Sequence, residues 1–545
     1  MSRIWIAGLA LCVWAGTLYV TGSVRDASGG AIVGARVTVA CGDVHLETHT
    51  GPDGGYALQA PCRNFAIEVS QAGFESSARV VRFEAAQGET RTEDFILPVA
   101  HAVATVSVTA SEGYVAETSS AGTKNEAPLV ETPQAISVIT TEQLKERGVQ
   151  TVNEALRYTP GVAVDTWGVD PRYDSFMIRG FTADQSGFFI DGLRFPGYLG
   201  QTDPYYADSV TVLKGPSSVL YGQSAPGGLV NVTTKRPPPK AVHELQFDLG
   251  SYDRKQVRGD IGGLFDRDGH WRYRLTGLYR NSDTQVGYNP DNRRFLAPAL
   301  TWAPTDKTSF TLLSYYQREK TGWAQFLPAN GTLLANPNGV IPVNFFAGEP
   351  GFDGVRRNQW SIGYFFDHRV GSVWTFHQGF RSYNVRYDGA TVYGLGLEPD
   401  LRTLARDAYI FRSTQTLYAV DNQAQARFRT GFINHSVLTG YDFSRVGQYP
   451  TGYDKLAPGI DVFQPQYNYM PAGLVQNVQS RQWTRQSGVY LQDQMRIAEH
   501  WTLLLSGRQD WARSLTRDLL ASSISGQGNR KFTGRAGLSY SAPFG

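Results

Sequence analysis

Few residues in this chain have the type and spacing that chemistry needs. The cysteines are three: Cys12, Cys41 and Cys62. Cys12 lies in an apolar N-terminal stretch. That leaves Cys41 and Cys62 to form a disulfide in an oxidising compartment, or to persist as two free, buried thiols. Motifs for bond-making are missing. The sequence has no G-x-S-x-G, no H-E-x-x-H, no paired C-x-x-C, no Walker-type loop and no His/Cys cluster at metal-ligand spacing. Gly394 and Gly396, in GLGLEP, are only a fragment of a dinucleotide-binding glycine pattern. An enzyme is not expected. Neither is a nucleic-acid partner, since the net charge is +2 and no basic run marks one face.

The elements that must position such groups are mostly strands. Charged residues make up 18% of the chain and aromatics 12%, alongside 58 glycines, a β-rich profile. Arg3 precedes an apolar run from Ile4 to Ala15, closed by Gly16. This is the length of a signal-peptide core and too short for a membrane-spanning helix, so 1–16 read as a signal peptide. No comparable run follows, and any membrane passage must use strands. Residues 20–98 give several short alternating strands, the pattern of a small β-sandwich. Residues 99–128 form a small, polar linker. Within it, Thr105, Val106, Ser107, Val108 and Thr109 alternate β-formers. They read as a strand to be added to a partner's sheet edge, or as an ordinary linker strand.

Residues 129–236 predict a compact α/β unit. ISVIT is a strand, TEQLKERGV a helix capped by Thr140 or Thr141, and TVNEALRYTPGV a second short helix stopped at Pro160-Gly161. The stretch VLKGPSSVLYGQSAPGGLVNVTTKRPPP packs four glycines between two apolar strands, so backbones there must turn and approach closely. From 240 to 545 the period changes. In WRYRLTGLYRN, Trp271, Tyr273, Leu275 and Tyr279 oppose Arg272, Arg274, Thr276 and Arg280. In WTLLLSGRQDW, Trp501, Leu503, Leu505 and Trp511 oppose Thr502, Ser506, Arg508 and Asp510. One greasy face and one wet face suit a barrel wall in lipid, and about 13 such strands are counted.

These segments carry a resemblance. ETPQAISVITTEQLKERGVQTVNEALRYTPGV, FMIRGF, FIDGLR, the glycine-rich stretch, SGVYLQDQMRIAEHWTLLLSGRQDW and FTGRAGLSYS together resemble the TonB-dependent siderophore receptors, nearest the ferrichrome and hydroxamate branch. TGSVRDASGGAIVGARV resembles the carboxypeptidase-regulatory-like domain. The fold class implied is mainly β: an N-terminal β-sandwich, an α/β plug domain at 129–236, and at 240–545 part of a 22-stranded antiparallel outer-membrane β-barrel. The chain stops at Gly545 without a terminal aromatic residue, which implies truncation by about nine strands.

The resemblance implies uptake of a ferric siderophore as cargo, with no cofactor. TonB, with ExbB and ExbD, would supply the energy. Location would be the bacterial outer membrane, with the N-terminal domain and the 105–109 segment, as TonB box, in the periplasm. Arg179 and Lys214 match two basic plug residues that pair with barrel glutamates, Lys standing where the family has Arg and losing its fork. Those glutamates would lie beyond Gly545. The matching apex loops place Trp167, Arg172, Tyr173, Gln185, Tyr198, Tyr205 and Tyr206 as substrate contacts. Trp167 occupies the position of a ligand-contacting Arg in the ferrichrome receptor, which sets ferrichrome itself in question. Other cargoes, cobalamin or an oligosaccharide, stay open, as does an adhesion or signalling module.

Overall fold

The computed structural model describes residues 19–97 and 113–542, less 27–28, 42–43, 60–61, 63, 72–73, 75–76, 84–89, 167, 169, 196–198, 324–325 and 499. The signal peptide, the segment Thr105–Thr109, Trp167 and Tyr198 lie outside the described residues. The chain divides into two compact units, Met1–Ala102 and Val103–Gly545.

The first unit is a sandwich of two sheets. Strands Gly55–Gln59, Thr90–Thr92 and Phe95–Leu97 all pair with Tyr19–Asp26; the other sheet runs Val44–His49, Arg36–Cys41, Asn64–Ser70, Ser77–Arg82. Strict alternation explains the packing: in Asn64–Ser70, Phe65, Ile67 and Val69 are buried and their neighbours exposed. They meet Val20, Val24, Val37 and Val39 in one apolar core. Cys41 and Cys62 are joined as a disulfide with Cα atoms 6.4 Å apart, closing a 21-residue separation. A small core gains most from such a link. Cys41→Ser is expected to lower this unit's unfolding free energy by about 2–4 kcal/mol and leave the second unit's transition in place. Calorimetry with and without reductant checks it.

In the second unit the plug centres on a five-stranded sheet in the order Ala135–Thr140, Ala207–Lys214, Gly228–Thr234, Phe188–Ile190, Leu193–Arg194. Helix Thr141–Glu146 starts where the Thr140 hydroxyl accepts from the Gln143 N–H, and Val152–Leu156 where Thr151 accepts from Glu154. The glycine-rich stretch has a steric cause. A Cβ on Gly227 would lie 1.9 Å from the Ile178 carbonyl oxygen. Gly222, at φ +70°, faces the wall, where a Cβ would meet the Gln486 side chain at 2.0 Å.

Around the plug runs one antiparallel sheet of twelve strands in sequence order, from Val242–Gly250 to Ser523–Tyr540. Among the described residues the first and last strands do not pair with each other. Sequence periodicity counted about 13 strands of 8–14 residues; several are far longer, up to the 29 residues of Ile433–Asp461. Alternation carries on past the ~9–11 residues a bilayer needs, so period alone cannot mark where lipid ends. The short connections 306–307, 371–373, 431–432 and 498–500 share one end; the long ones, 282–290, 322–353 and 462–474, share the other. Exposed rings mark the short-turn end: Trp271 pairs across strands with Trp302, and Trp501 with Tyr540. Trp511 repeats the feature about ten residues along, ~25 Å of height at the usual tilt. Among the described residues no helix is long and apolar enough to cross a membrane, which says nothing of strands.

Candidate functional site

The plug is held to the wall by buried charge pairs that join plug residues to the inward faces of wall strands. Asp203, on the plug, pairs with Arg293 of Asp291–Thr305 at 2.7 Å. Arg293 also pairs with Glu319 at 2.7 Å, and Glu319 with Arg357 at 2.5 Å; all four side chains are at most 3% exposed. Arg293 and Arg357 both donate to the Gln201 side chain, and Arg357 to the carbonyls of Arg172 and Leu199. A second anchor joins plug Asp191 to Arg381 of Trp374–Leu397 at 2.5 Å and to plug Arg236 at 3.1 Å. Burial pushes the Asp191 carboxyl up, but the two arginines outweigh it and hold it below the ordinary range. A third seats the plug's leading segment. Lys124 pairs with Asp421 at 2.7 Å and lies 4.2 Å over the Tyr490 ring, whose hydroxyl donates to the same carboxylate.

Beside the first anchor sits Asp174, 2% exposed; among the described residues no side chain donates to its carboxylate, and the Thr202 and Asn153 backbone N–H groups approach it only loosely. Burial pushes it up to about 7 against the pull of Arg293 and Arg357. The folded protein thus binds a proton there that an unfolded carboxyl, near the ordinary 3.8, has released. Stability falls as pH rises between those two values. Asp174→Asn is expected to raise the thermal transition at pH 8 and to match the parent near pH 4.

Above these anchors aromatic rings of the plug apex and the wall gather into one cluster, the aromatic chamber. Asp170 and Arg172 make a bidentate pair, with Nε and Nη2 at 2.8 and 2.6 Å from the two carboxylate oxygens. The Arg172 guanidinium lies 4.2 Å over the Trp323 ring and 5.1 Å from that of Tyr173. Trp323 meets Tyr387 at 6.4 Å and Tyr409 at 6.0 Å, and Tyr387 meets Phe411 at 5.9 Å. The long connections converge over this end. Tyr288, Phe346 and Tyr467, one from each, contact one another with centroids 5.4–6.0 Å apart. Glu349 on the longest one pairs with Arg406 at 3.0 Å, both buried.

Of the residues expected at the ligand, the structure brings Arg172 and Tyr173 to the chamber. Gln185 is exposed on the neighbouring turn 184–186. Tyr205 and Tyr206 are elsewhere, in the seam between plug and wall. Tyr205 lies beneath Lys235 and Arg258, and Tyr206 is buried against Phe295 and Tyr315. The short turn Pro204–Tyr206, capped by Asp203, is tethered by the anchor and faces both rings to the wall. Arg179 is exposed, at φ +52°, and Lys214 donates to Ser137 Oγ at 3.0 Å and the Pro160 carbonyl at 3.4 Å. Neither makes an ion pair among the described residues. Trp323, Tyr387, Tyr409 and Phe411 went unseen in the sequence. Their inward placement depends on register, and the chain has many rings of equal promise.

With this geometry in view, the comparisons with known proteins fall into place. Three family descriptions match: Carboxypeptidase regulatory-like domain at 19–98, TonB-dependent Receptor Plug Domain at 128–229, and TonB dependent receptor-like, beta-barrel at 300–543. The ferrichrome outer membrane transporter/phage receptor of Escherichia coli (strain K12) is 35% identical over 457 residues, covering 78% of this chain and 61% of that protein. The ferrioxamine receptor of Yersinia enterocolitica is 35% identical over 449 residues, covering 79% and 62%. The chain thus spans about three fifths of these relatives' length. Among solved structures, the ferric preacinetobactin receptor of Acinetobacter baumannii superposes with a TM-score of 0.70 at 17% identity, over 78% of this chain and 64% of that one. The ferripyoverdine receptor of Pseudomonas aeruginosa gives 0.69 at 18%, over 83% and 60%. A plug domain followed by a β-barrel wall is what these descriptions name, and the chain belongs to the TonB-dependent receptors.

Proposed function

We propose that the protein takes up a ferric siderophore of the hydroxamate class across the bacterial outer membrane, powered through TonB with ExbB and ExbD. The chamber carries this reading. Its rings offer apolar contact, and its charges are compensated within the protein: Arg172 by Asp170, and Arg357 beneath it by Glu319. A ferric trishydroxamate is neutral and leaves those pairs intact. A ferric triscatecholate carries three negative charges, and among the described residues such a site offers it no uncommitted cation. The relatives named for ferrichrome and ferrioxamine support the same class. Iron arrives already chelated, so the protein needs no metal ligands of its own.

Transport in this reading begins with cargo in the chamber, beneath the converged loops. Segment 105–109 then adds as a strand to TonB in the periplasm, and force enters the plug through the leading segment that Lys124 holds. No bond is made or broken in the cargo. In a full-length parent, deleting 104–110 is expected to abolish uptake of labelled ferric siderophore by iron-limited cells while equilibrium binding stays as in the undeleted protein. Uptake that survives the deletion removes the box assignment. Binding of ferric catecholates in preference to ferrichrome or ferrioxamine B removes the cargo assignment.

A further inference from the structure

Apart from the aromatic cluster, the loop end holds a cavity of about 240 Å³, lined among others by Arg406, Asp461, Gln464, Gln466, Asn468 and Tyr469. Its charged members are committed elsewhere. Arg406 pairs with Glu349 and donates to the Pro458 and Ala347 carbonyls. Asp461 accepts from Arg402 at 2.6 Å and from the N–H groups of Phe463 and Gln464. The amides are different. Gln464, Gln466 and Asn468 are exposed, and among the described residues their side chains have no hydrogen-bond partner within the protein. They alternate with the half-buried Pro465, Tyr467 and Tyr469, so an extended ribbon presents three amides on one side.

The ribbon is fixed from behind. The Tyr467 hydroxyl donates to the Phe346 carbonyl at 3.0 Å, its ring meets Phe346 and Tyr288, and the Tyr469 N–H reaches Glu349 at 3.4 Å. Ordering that a ligand would otherwise have to supply is already in place.

We infer that this cavity is an accessory site for a neutral, hydroxyl-rich ligand, a saccharide, separate from the chamber and from the cargo reading. A sugar hydroxyl both donates and accepts, as a side-chain amide does, and three amides in a row match successive hydroxyls. Compensated charge disfavours phosphates and carboxylates. The volume is below that of drug-sized pockets and suits roughly one or two sugar rings.

The full chain, held in a detergent without a sugar head group, tests the inference by saturation-transfer NMR. The probes are the methyl glycosides of glucose, galactose, mannose and N-acetylglucosamine, together with maltotriose. At least one probe is expected to saturate in the millimolar range. Gln466→Ala with Asn468→Ala is expected to weaken it at least tenfold, with the thermal transition and ferrichrome binding unchanged. If no probe saturates the parent, or if the double variant binds equally well, the inference fails. It also fails if inositol hexaphosphate competes at the same site, since the site would then be anionic in preference. Loss of ferrichrome binding in the parent touches only the cargo reading.

Discussion

Arg293→Ala should unseat the plug. The guanidinium stands between Asp203 on the plug and Glu319 on the wall, at 2.7 Å from each, and all three side chains are at most 3% exposed. Truncation leaves Asp203 with Arg280 at 3.6 Å and Glu319 with Arg357 alone. Breaking a buried ion pair by removing one partner costs about 3–5 kcal/mol, a large share of any domain's stability. The expected readout is faster proteolysis within the plug, with the strand content of the wall retained by circular dichroism. The double variant Arg293→Met with Asp203→Asn should recover part of the loss, because the charges leave together. If Arg293→Ala keeps the plug as protease-resistant as the parent, the chain of pairs from Asp203 to Arg357 is not what seats it.

The second large effect concerns the chamber. Trp323→Ala combined with Tyr387→Ala removes two rings that meet at 6.4 Å, one of them beneath the Arg172 guanidinium. Large rings bury 150–250 Å² each when a ligand covers them. Loss of about 3 kcal/mol of contact corresponds to roughly 100-fold weaker binding of a ferric hydroxamate. Tryptophan fluorescence quenching or calorimetry reads it directly. Salt should matter little, because the chamber's charges are paired and a neutral chelate adds none. A steep fall in affinity between low and high salt would contradict the neutral cargo. So would an unchanged affinity in the double variant.

What the sequence made legible follows from locality. Thr140, one of two adjacent cap candidates, announces its helix because a cap is written within four residues. The alternation of Trp501–Asp518 fixes an outward Trp501 and Trp511 and an inward Thr502 and Arg508, because period 2 needs no knowledge of neighbours. The glycine-rich stretch announced close approach, though not that the near atoms at Gly222 belong to the wall. The site was less legible because its partners lie far apart in the chain. Asp203 meets a residue 90 positions away, and Lys124 one 297 positions away. No spacing rule reaches that far. Tyr205 and Tyr206 were read as apex residues from their motif position, yet the Asp203 anchor next to them turns both rings into the seam. Trp323 follows the end of Thr308–Thr321, and nothing local sets it apart from the chain's other tryptophans.

The length of the longest strands has its own consequence. Thr403–Thr430 runs 28 residues and Ile433–Asp461 runs 29. At ~3.4 Å per residue and a tilt of about 45°, such a hairpin rises roughly 65 Å. The hydrophobic band accounts for ~25 Å of that, so more than half of the hairpin stands clear of the lipid. Tyr409 and Phe411 belong to its upper reach, and a visiting molecule would be met on a stiff tower, well before it arrived at the membrane plane.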